Sequence, residues 1–313
     1  MRLDVAVVGA PFLDLTFEGL PRVPCIGEEL IGRALHVAPG GTGMQALGSA
    51  RLGLATALIA PIPHQGGGVL LRSFLVSEGV EVVGRDASPP GTADLTRDAV
   101  GVPVTALLST QQGVAMATVL SGEEPSEEDV AIVRARAIVL SLGRVSIAPS
   151  GAALYVVTGG LELSRADQTI VQRLGSARAL VLNAAEATVL TGRHDPEDAA
   201  CDLARHVPTA VVTMGSDGAV AAEGDTLTRV AAPRVNSVDA TGAGDLFVSA
   251  YVWADLAGEP VRNRLEWASL YAALSVRAPT AFAGAVGLER LVVEGSARGL
   301  VAPGVVVKPM SGP

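Results

Sequence analysis

The sequence has few of the residues that indicate nucleic-acid or metal partners. It contains one lysine, Lys308, and its 32 acidic residues outnumber its 23 basic ones, which gives a formal charge of −9. So acidic a chain is not expected to bind a polyanionic duplex. Its two cysteines, Cys25 and Cys201, lie far apart and lack the spacing of a metal site. We therefore expect neither nucleic acid nor a cysteine-held metal.

The chain also lacks the segments that would anchor it in a membrane. No apolar run approaches the roughly 18 residues needed to span a bilayer, because proline, glycine or a charge interrupts each candidate. The first residues do not read as a signal peptide, since no basic stretch precedes an apolar one of sufficient length. With 49% hydrophobic and 18% charged residues, the chain is expected to fold as one large soluble domain, 1–313, in the cytoplasm.

Short apolar runs alternate with stretches that are long enough for a helix. The first run closes on Gly9, and similar runs recur at 55–60, 137–142, 154–157, 180–182 and 210–214. Strands that alternate with helices predict an α/β fold, with a mostly parallel sheet covered by helices. Ligands of such sheets bind beyond the carboxyl ends of the strands, so we expect the site there.

Two stretches interrupt this alternation. Residues 15–38 carry turn signals and too little helical periodicity for a crossover helix, and residues 88–122 contain two β-prone runs, 104–110 and 113–120, that predict a hairpin. We predict that both stretches form one small β-sheet that projects from the domain as a lid. A lid above the strand ends would close over a substrate and exclude water.

The most informative segment is a glycine-rich turn, 239–245, followed by an apolar helical pattern over 246–254. Free N–H groups at a helix start attract anions, and Gly242 and Gly244 would let a phosphate approach the backbone. Asp245 lies in the same first turn, where a carboxylate can take a proton from an attacking hydroxyl. The pattern favours phosphoryl transfer. The alternative is an ordinary helix cap whose glycines merely allow close packing.

The run Asp-Ala-Thr-Gly-Ala-Gly-Asp-Leu-Phe over 239–247 resembles the C-terminal signature of the PfkB (ribokinase-like) carbohydrate kinase family. The resemblance implies a three-layer α/β/α domain with a mostly parallel central sheet and a small β-sheet lid. It implies transfer of the ATP γ-phosphate, with Mg2+, to a hydroxyl of a small sugar or polyol. The site residues that it implies are the catalytic base Asp245, an anion hole of Gly242, Ala243 and Gly244, a nucleotide contact at Thr241, and a monovalent cation ligand, for an ion such as K+, at Asp239.

Two further motifs of the nucleotide half fall in the family's order. Asn183 and Glu186 match its Asn-Xaa-Xaa-Glu element, which implies that Asn183 contacts phosphate oxygens and that Glu186 orders Mg2+-bound water. The alternative for this pair is capping of a helix over 184–191. Residues 211–219 resemble a strand and glycine turn that contact the nucleotide through Thr213, Gly215 and Gly218, although a hairpin without a ligand reads almost the same. Residues 268–284 resemble the adenine wall and the rest of the cation loop.

The N-terminal half carries the substrate motifs. Residues 40–45 followed by 50–53 resemble the family's first signature, which implies acceptor contacts from Gly40, Gly41 and Gln45. Asp14, after the first strand, matches the family's substrate-binding aspartate. A dinucleotide-binding fingerprint also fits 41–46 formally, but no acidic residue follows about 20 positions later, as that fold requires.

Several departures from the family pattern concern the acceptor. Gln45 or Met44 replaces the family's asparagine, and residues 63–68 lack two acids that the family commonly has. Thr42 stands where kinases of sugar phosphates often have lysine, which favours a neutral sugar or polyol. A nucleoside is the second candidate, although Phe17 and Phe12 are the only aromatic residues near the lid that could stack on a base. A non-catalytic ligand-sensing relative is the third, and the intact Asp245 argues against it. The exposed lid edge suggests a homodimer, and the alternative is that Pro21 and Pro24 blunt an unpaired edge.

Overall fold

The chain is described by a computed structural model that covers residues 3–87, 100–163 and 174–304. Residues 88–99 of the predicted lid, and the ends of the expected domain 1–313, lie outside the described residues. Nine strands form a large sheet. In spatial order they are β13 (Thr226–Val230), β12 (Ala219–Glu223), β11 (Thr209–Thr213), β10 (Ala177–Asn183), β9 (Ala153–Val157), β8 (Ala135–Ser141), β1 (Leu3–Val8), β4 (Thr56–Ile59) and β5 (Glu81–Val83).

The large sheet is mostly parallel. Neighbouring strands from β11 through β5 pair in parallel, and only β12, near one edge, runs antiparallel to both of its neighbours, β11 and β13. All four residues of β4 are buried, and β1 is nearly so, because helices cover both faces of a parallel sheet. The carboxyl ends of β1, β8, β10 and β11 therefore lie at the same edge of the sheet.

A second sheet has four strands, in the order β3 (Ala34–Gly41), β2 (Pro11–Leu20), β6 (Val104–Thr110) and β7 (Gly113–Val119). The hairpin predicted around 111–113 is present as β6 and β7, in antiparallel register from Val104 opposite Val119. This small sheet is mixed, since β2 runs parallel to β6. The strand that comes first in the chain, β2, starts at Pro11, four residues before the stretch 15–38 that was predicted from turn signals. The chain is already extended soon after β1 ends.

Ten helices lie within the described residues: α1 (Thr42–Arg51), α2 (Gly67–Ser77), α3 (Glu127–Ala131), α4 (Gly160–Leu163), α5 (Ala184–Thr191), α6 (Pro196–Leu203), α7 (Ala243–Leu256), α8 (Val261–Ser275), α9 (Ala281–Gly284) and α10 (Leu288–Ser296). Turns of 3-10 helix cover Leu142–Ile147 and Gly215–Asp217. No helix among the described residues is long and apolar enough to span a membrane.

Two apolar clusters pack on opposite faces of the large sheet, which makes three layers. Val5 and Val7 of β1 contact the cluster that contains Trp253 of α7 and Trp267 of α8. Alternate residues of the same strand belong to the second cluster, with side chains of α5 and α6, since successive side chains of a strand point to opposite faces. The expected α/β architecture with a mostly parallel central sheet and a small second sheet is confirmed.

Candidate active site

The glycine-rich turn forms the start of α7, as the sequence predicts. Gly242 is the N-terminal cap, with φ of 77°, a left-handed conformation that glycine adopts without steric cost. A Cβ atom at position 242 would lie 2.7 Å from the Cβ of Ala281, so the turn is also packed closely. Gly244 is different, because no atom of the described residues lies within 4 Å of the place a Cβ would take. A ligand can approach the backbone at Gly244.

The amides of this turn are not equally free. Ala243 donates its N–H to the carbonyl oxygen of Ala240 at 3.2 Å, whereas Gly244 lies in the first helical turn, where N–H groups have no partner within the helix. An anion bound here would compete with Ala240 for the Ala243 proton. Gly244 is therefore the better placed of these two predicted anion-hole donors.

Asp245 is a half-buried carboxylate in the first turn of α7. Burial, together with the negative charges of Asp14 and Glu186, raises its pKa to about 7. A hydrogen bond of 2.8 Å from Nε2 of Gln45 to Oδ1 of Asp245 acts in the opposite direction and lowers it. A carboxyl group with a pKa near neutrality suits a general base.

Asp14 lies on β2, at the mouth of a cleft that it shares with the turn before α7. The cleft is lined by Asp14, Gly40, Asp239, Thr241, Gly242 and Phe282. Burial raises the pKa of Asp14 to about 6, against the effect of a hydrogen bond with the side chain of Thr105. A Cβ atom on Gly40 would lie 2.2 Å from Oδ2 of Asp14. Position 40 therefore has to be glycine for the carboxylate to lie here.

Asp239 is buried beneath the same turn. Its Oδ1 accepts the backbone N–H of Thr241 at 2.8 Å, and its Oδ2 is buried without a hydrogen-bond partner among the described residues. The backbone N–H groups of Val238 and Asp239 both donate to the carbonyl of Val276, which places the start of the 277–284 loop beside this carboxylate. A buried unpaired oxygen is costly, and a bound cation would relieve the cost.

Asn183 and Glu186 form a capping box at the start of α5. Oδ1 of Asn183 accepts the N–H of Glu186 at 2.9 Å, and Oε2 of Glu186 accepts the N–H of Asn183 at 3.0 Å. The capping alternative is thus present in the structure, and the same Oε2 also accepts a proton from the hydroxyl of Thr158 at 2.8 Å. Burial raises the pKa of Glu186. Capping uses one oxygen of each side chain and does not exclude a ligand contact by the other atoms.

The strand and glycine turn after β11 line a second cleft. Asn183, Thr213 and Gly215 lie along it with Arg229. Gly215 has φ of 57° and open space around it, whereas a Cβ on Gly218 would lie 2.0 Å from the carbonyl oxygen of Val230. Gly218 is therefore required by the hairpin packing itself, and the structure gives it a steric role apart from the predicted nucleotide contact.

Gly41 and Gln45 differ from each other in their surroundings. Gly41 ends β3 with φ of 54° and caps α1. Gln45, predicted to contact the acceptor, is buried in the interface between α1 and α7 and bonds Asp245. Sequence reasoning assigned no such contact, because the two residues are 200 positions apart in the chain.

Three other residues that hold the side chains or backbone of the candidate site were not predicted. Thr105 bonds Asp14 from β6, and Thr158 bonds Glu186. Arg51, at the end of α1, donates to the carbonyl oxygens of Phe282 and Ala285 at 2.7 and 2.6 Å. Arg51 thereby fixes the loop whose Phe282 lines the first cleft. The motif Ala-Arg-Leu-Gly was the available signal for Arg51, while threonines carry no comparable signal.

Part of the chain is similar in sequence to known carbohydrate kinases. Residues 147–284 match the pfkB family carbohydrate kinase profile. The chain is 44% identical over 66 residues to 2-dehydro-3-deoxygalactonokinase of Haloferax volcanii, which is 21% of each chain. It is 38% identical over 80 residues to acarbose 7(IV)-phosphotransferase of Actinoplanes sp., or 24% of this chain and 27% of the relative. The matched stretches thus span about a quarter or less of these relatives.

Solved structures of similar fold cover nearly the whole chain. Ribokinase from Thermotoga maritima superimposes with a TM-score of 0.76 at 18% identity, over 93% of this chain and 98% of that one. Arabidopsis thaliana ribokinase complexed with ribose and ATP gives 0.75 at 22% identity, over 94% and 98%. Adenosine kinase from Sinorhizobium meliloti gives 0.74 at 19% identity, over 95% and 100%. At these identities the likeness establishes the fold.

Proposed function

We propose that this chain, which belongs to the PfkB (ribokinase-like) carbohydrate kinase family, transfers the γ-phosphate of ATP to a hydroxyl group of a small sugar or polyol. The match over 147–284 confirms the family resemblance for the motifs at 183–186, 211–219 and 239–247, whereas Asp14 and the motif at 40–45 lie outside the matched range. The observation that carries the proposal is the position of Asp245. Its carboxyl group, with a pKa near neutrality, lies in the helix turn whose backbone is open to an anion at Gly244.

The residues of the chain have separate tasks in this reaction. Asp14 accepts hydrogen bonds from hydroxyls of the acceptor and holds it near the start of β2, within the cleft that Gly242 also lines. Asp245 takes the proton from the attacking hydroxyl as the bond to phosphorus forms, and the ADP oxygen leaves with the electrons of the broken bond. The N–H groups at the start of α7, at 242–244, stabilise the charge on the transferring group.

The second cleft is where we place the nucleotide. Asn183, Thr213 and Gly215 line it, and Thr241 lies at the start of the turn that leads to the base. Gly218 supports this wall through the backbone. Among the described residues no group of three His, Cys, Asp or Glu side chains could hold a metal by itself. Mg2+ would therefore arrive with the phosphates and keep most of its water, some of it ordered by Glu186.

A monovalent cation such as K+ fits the environment of Asp239. The buried oxygen of this carboxylate that lacks a partner lies beside the loop after Val276. A cation bound there would neutralise the carboxylate near the turn that contacts the phosphate. The cation would act by fixing that turn, and the phosphoryl transfer itself would be carried out by the groups named above.

A sugar or polyol acceptor is favoured over a nucleoside. The two relatives described above, each matched over part of its length, are named as a 2-dehydro-3-deoxygalactonokinase and an acarbose phosphotransferase. The apolar side chains that line the first cleft include one aromatic ring, that of Phe282, which leaves little surface for stacking a base. The nucleoside alternative is supported by the adenosine kinase among the proteins of similar fold.

The test is release of ADP from ATP and Mg2+ in the presence of separate pools of sugars, polyols and nucleosides. We expect turnover with the sugar or polyol pool. Asp245→Asn should lower kcat by roughly 100-fold to 10,000-fold with little change in KM, because a general base contributes about that much. Asp225→Asn is the matched control, since it makes the same chemical change in an exposed turn.

Each other result contradicts part of the proposal. Turnover with the nucleoside pool alone would replace the acceptor class. Binding of a pool member without ADP release would favour a ligand-sensing relative over an enzyme. Full activity in Asp245→Asn would remove the base from the mechanism.

The proposed assembly is a homodimer formed through the lid, the small sheet of β2, β3, β6 and β7. Its edge strand β7 exposes Met116 and Val119 by about two thirds, and Leu35 on the opposite edge strand β3 is also exposed. Exposed apolar surface on an unpaired sheet edge is typical of an interface. No macromolecular partner other than a second copy is proposed, and the small-molecule acceptor and ATP are the remaining partners.

A further inference from the structure

We propose that Gln45 is the positioning residue of the catalytic base, holding one carboxylate oxygen of Asp245 so that the other faces the acceptor hydroxyl. The inference rests on the proposed function, in which Asp245 is the base. Nε2 of Gln45 donates to Oδ1 of Asp245 at 2.8 Å. Among the described residues no other side chain bonds this carboxylate, which leaves Oδ2 for the substrate. Gln45 itself does not line either cleft, so it acts through Asp245.

The packing of α1 against α7 fixes the amide in this position. Gly48 of α1 has no room for a side chain, since a Cβ would lie 2.5 Å from Leu246 and 2.7 Å from the hydroxyl of Ser249. That hydroxyl shares its one proton between the backbone carbonyl oxygens of Gln45 at 2.9 Å and Asp245 at 3.0 Å. Ser49 donates to the same carbonyl of Gln45 at 2.8 Å. The two residues are thus held at a fixed separation.

The charges around Asp245 explain why a neutral donor is needed. The charged groups that face it are Asp14 from β2 and Glu186 from α5, and both are acids that oppose its ionisation. Gln45, from α1, is the group that favours the carboxylate form. An arginine or lysine in its place would form an ion pair and weaken the base more strongly. An amide orients the carboxylate and leaves it able to accept a proton.

The buried oxygen of Gln45 indicates that the residue is not there for packing. Gln45 is 6% exposed, and its Oε1 is buried without a partner among the described residues. An unsatisfied buried acceptor costs stability, which an apolar side chain of the same length would avoid. A purely structural role would therefore be served better by methionine. What glutamine provides and methionine cannot is the hydrogen bond from Nε2 to the carboxylate of Asp245.

The experiment measures the titration of Asp245 directly, in protein labelled with carboxyl-13C aspartate and without ligands. The Asp245→Asn spectrum assigns the resonance. We expect Gln45→Met, which keeps the length and removes the amide, to raise the pKa of Asp245 by about one pH unit, the order of effect of one lost hydrogen bond to a charged group. Gln45→Asn, which keeps the amide but shortens the reach, should shift it in the same direction and serves if the methionine variant does not fold.

The kinetic readout separates positioning from substrate binding. We expect Gln45→Met to lower kcat near pH 7 with KM for the acceptor unchanged, and to regain most of the activity near pH 9, where the base is again ionised. Gln111→Met is the control, because it makes the same chemical change in the exposed turn between β6 and β7, and its pH profile should stay at the wild-type position.

The outcomes decide between the two proposals. An Asp245 pKa that is the same in wild type and in both Gln45 variants overturns the inference. So does a raised KM for the acceptor with an unchanged pH profile, since Gln45 would then bind substrate. Absence of phosphoryl transfer by the wild type contradicts the proposed function instead, whatever the carboxyl titration shows.

Discussion

At the scale of single residues, Asp245 is placed where its charge is unfavourable for folding. The neighbouring acids and the burial that raise its pKa to about 7 disfavour the ionised form that a base requires. The unfolded chain has the ordinary aspartate pKa of 3.8. Its folded value is higher, so the ionised group destabilises the fold fully above pH 7, and this cost disappears as the pH falls towards 3.8. Function and stability are opposed at this position.

The first prediction follows from the cost to folding of the ionised Asp245 carboxylate. Asp245→Asn should melt at a higher temperature than wild type near pH 8, by about 2 °C or more, because the amide carries no charge to bury. The difference should shrink as the pH is lowered towards 4. Differential scanning calorimetry of the ligand-free protein at several pH values measures it, with Asp225→Asn as the control. A lower melting temperature at pH 8 would show that the carboxylate is stabilised in the fold.

The second prediction concerns the pH dependence of turnover. Since Asp245 accepts a proton only when ionised, kcat/KM of the wild type should rise as the pH increases through about 7, the pKa of this group in the ligand-free protein. Asp14, with a pKa of about 6, should be ionised before this rise is complete. Rates measured across pH with the acceptor found in the pool assay test this. A rate that falls between pH 6 and 8 would contradict it.

The third prediction uses the contact between Asp14 and Gly40. Gly40→Ala places a methyl group at the position of the Asp14 carboxylate, so the carboxylate has to move. We expect KM for the acceptor to increase at least about 10-fold, the effect of weakening one good hydrogen bond to a charged group, while KM for ATP stays near the wild-type value. Gly304→Ala, a site with open space around it, is the control. Equal increases in both KM values would indicate a general loss of the fold.

At the scale of elements, glycines with similar sequence context have different physical roles. Gly215 and Gly218 both follow β11, and the motif alone gives both to the nucleotide. In the structure Gly218 has φ of 98° and faces the carbonyl of Val230, whereas Gly215, with φ of 57°, faces open space. A side chain at 218 is opposed by backbone atoms, and backbone cannot move aside as a flexible side chain can.

The fourth prediction compares these two glycines. Gly218→Ala should lower the free energy of unfolding by at least about 2 kcal/mol, because both the conformation and the clash oppose it. Gly215→Ala should cost about 1 kcal/mol, from its left-handed conformation alone. Urea unfolding measures both. If Gly215→Ala is the more destabilising of the two, the steric assignment is wrong.

The same scale shows what could be predicted from sequence. The strands could be predicted, because runs such as 3–8 and 137–141 are buried on both faces of the sheet and therefore appear in the sequence as continuous apolar, β-branched segments. The start of α7 could also be predicted, because Gly242, Gly244 and Asp245 lie close to one another in the chain. The contact of Gln45 with Asp245 could not be predicted, since it depends on how closely α1 approaches α7. The fit of Asp14 over Gly40 depends in the same way on the pairing of β2 with β3.

At the scale of the whole molecule, the small sheet connects the proposed acceptor site with the proposed dimer interface. Asp14 and Gly40 lie on its strands β2 and β3, next to the cleft, and its outer strands carry the exposed apolar residues. The sequence indicated a projecting sheet because the stretches 15–38 and 88–122 carry turn signals and lack the periodicity of a helix. Which apolar residues of the outer strands stay exposed could not be predicted, because it depends on how β7 pairs with β6 and on what packs against the sheet.

The last prediction tests the dimer through this surface. Light scattering of the purified chain should give the mass of two copies, and the double variant Met116→Arg with Val119→Arg should give the mass of one, since two cations would be buried without partners in the interface. Val293→Arg, on α10, is the matched control, because that valine is also an exposed apolar residue and lies away from the lid. A dimer that persists in the double variant, or dissociates in Val293→Arg, would place the interface elsewhere on the molecule.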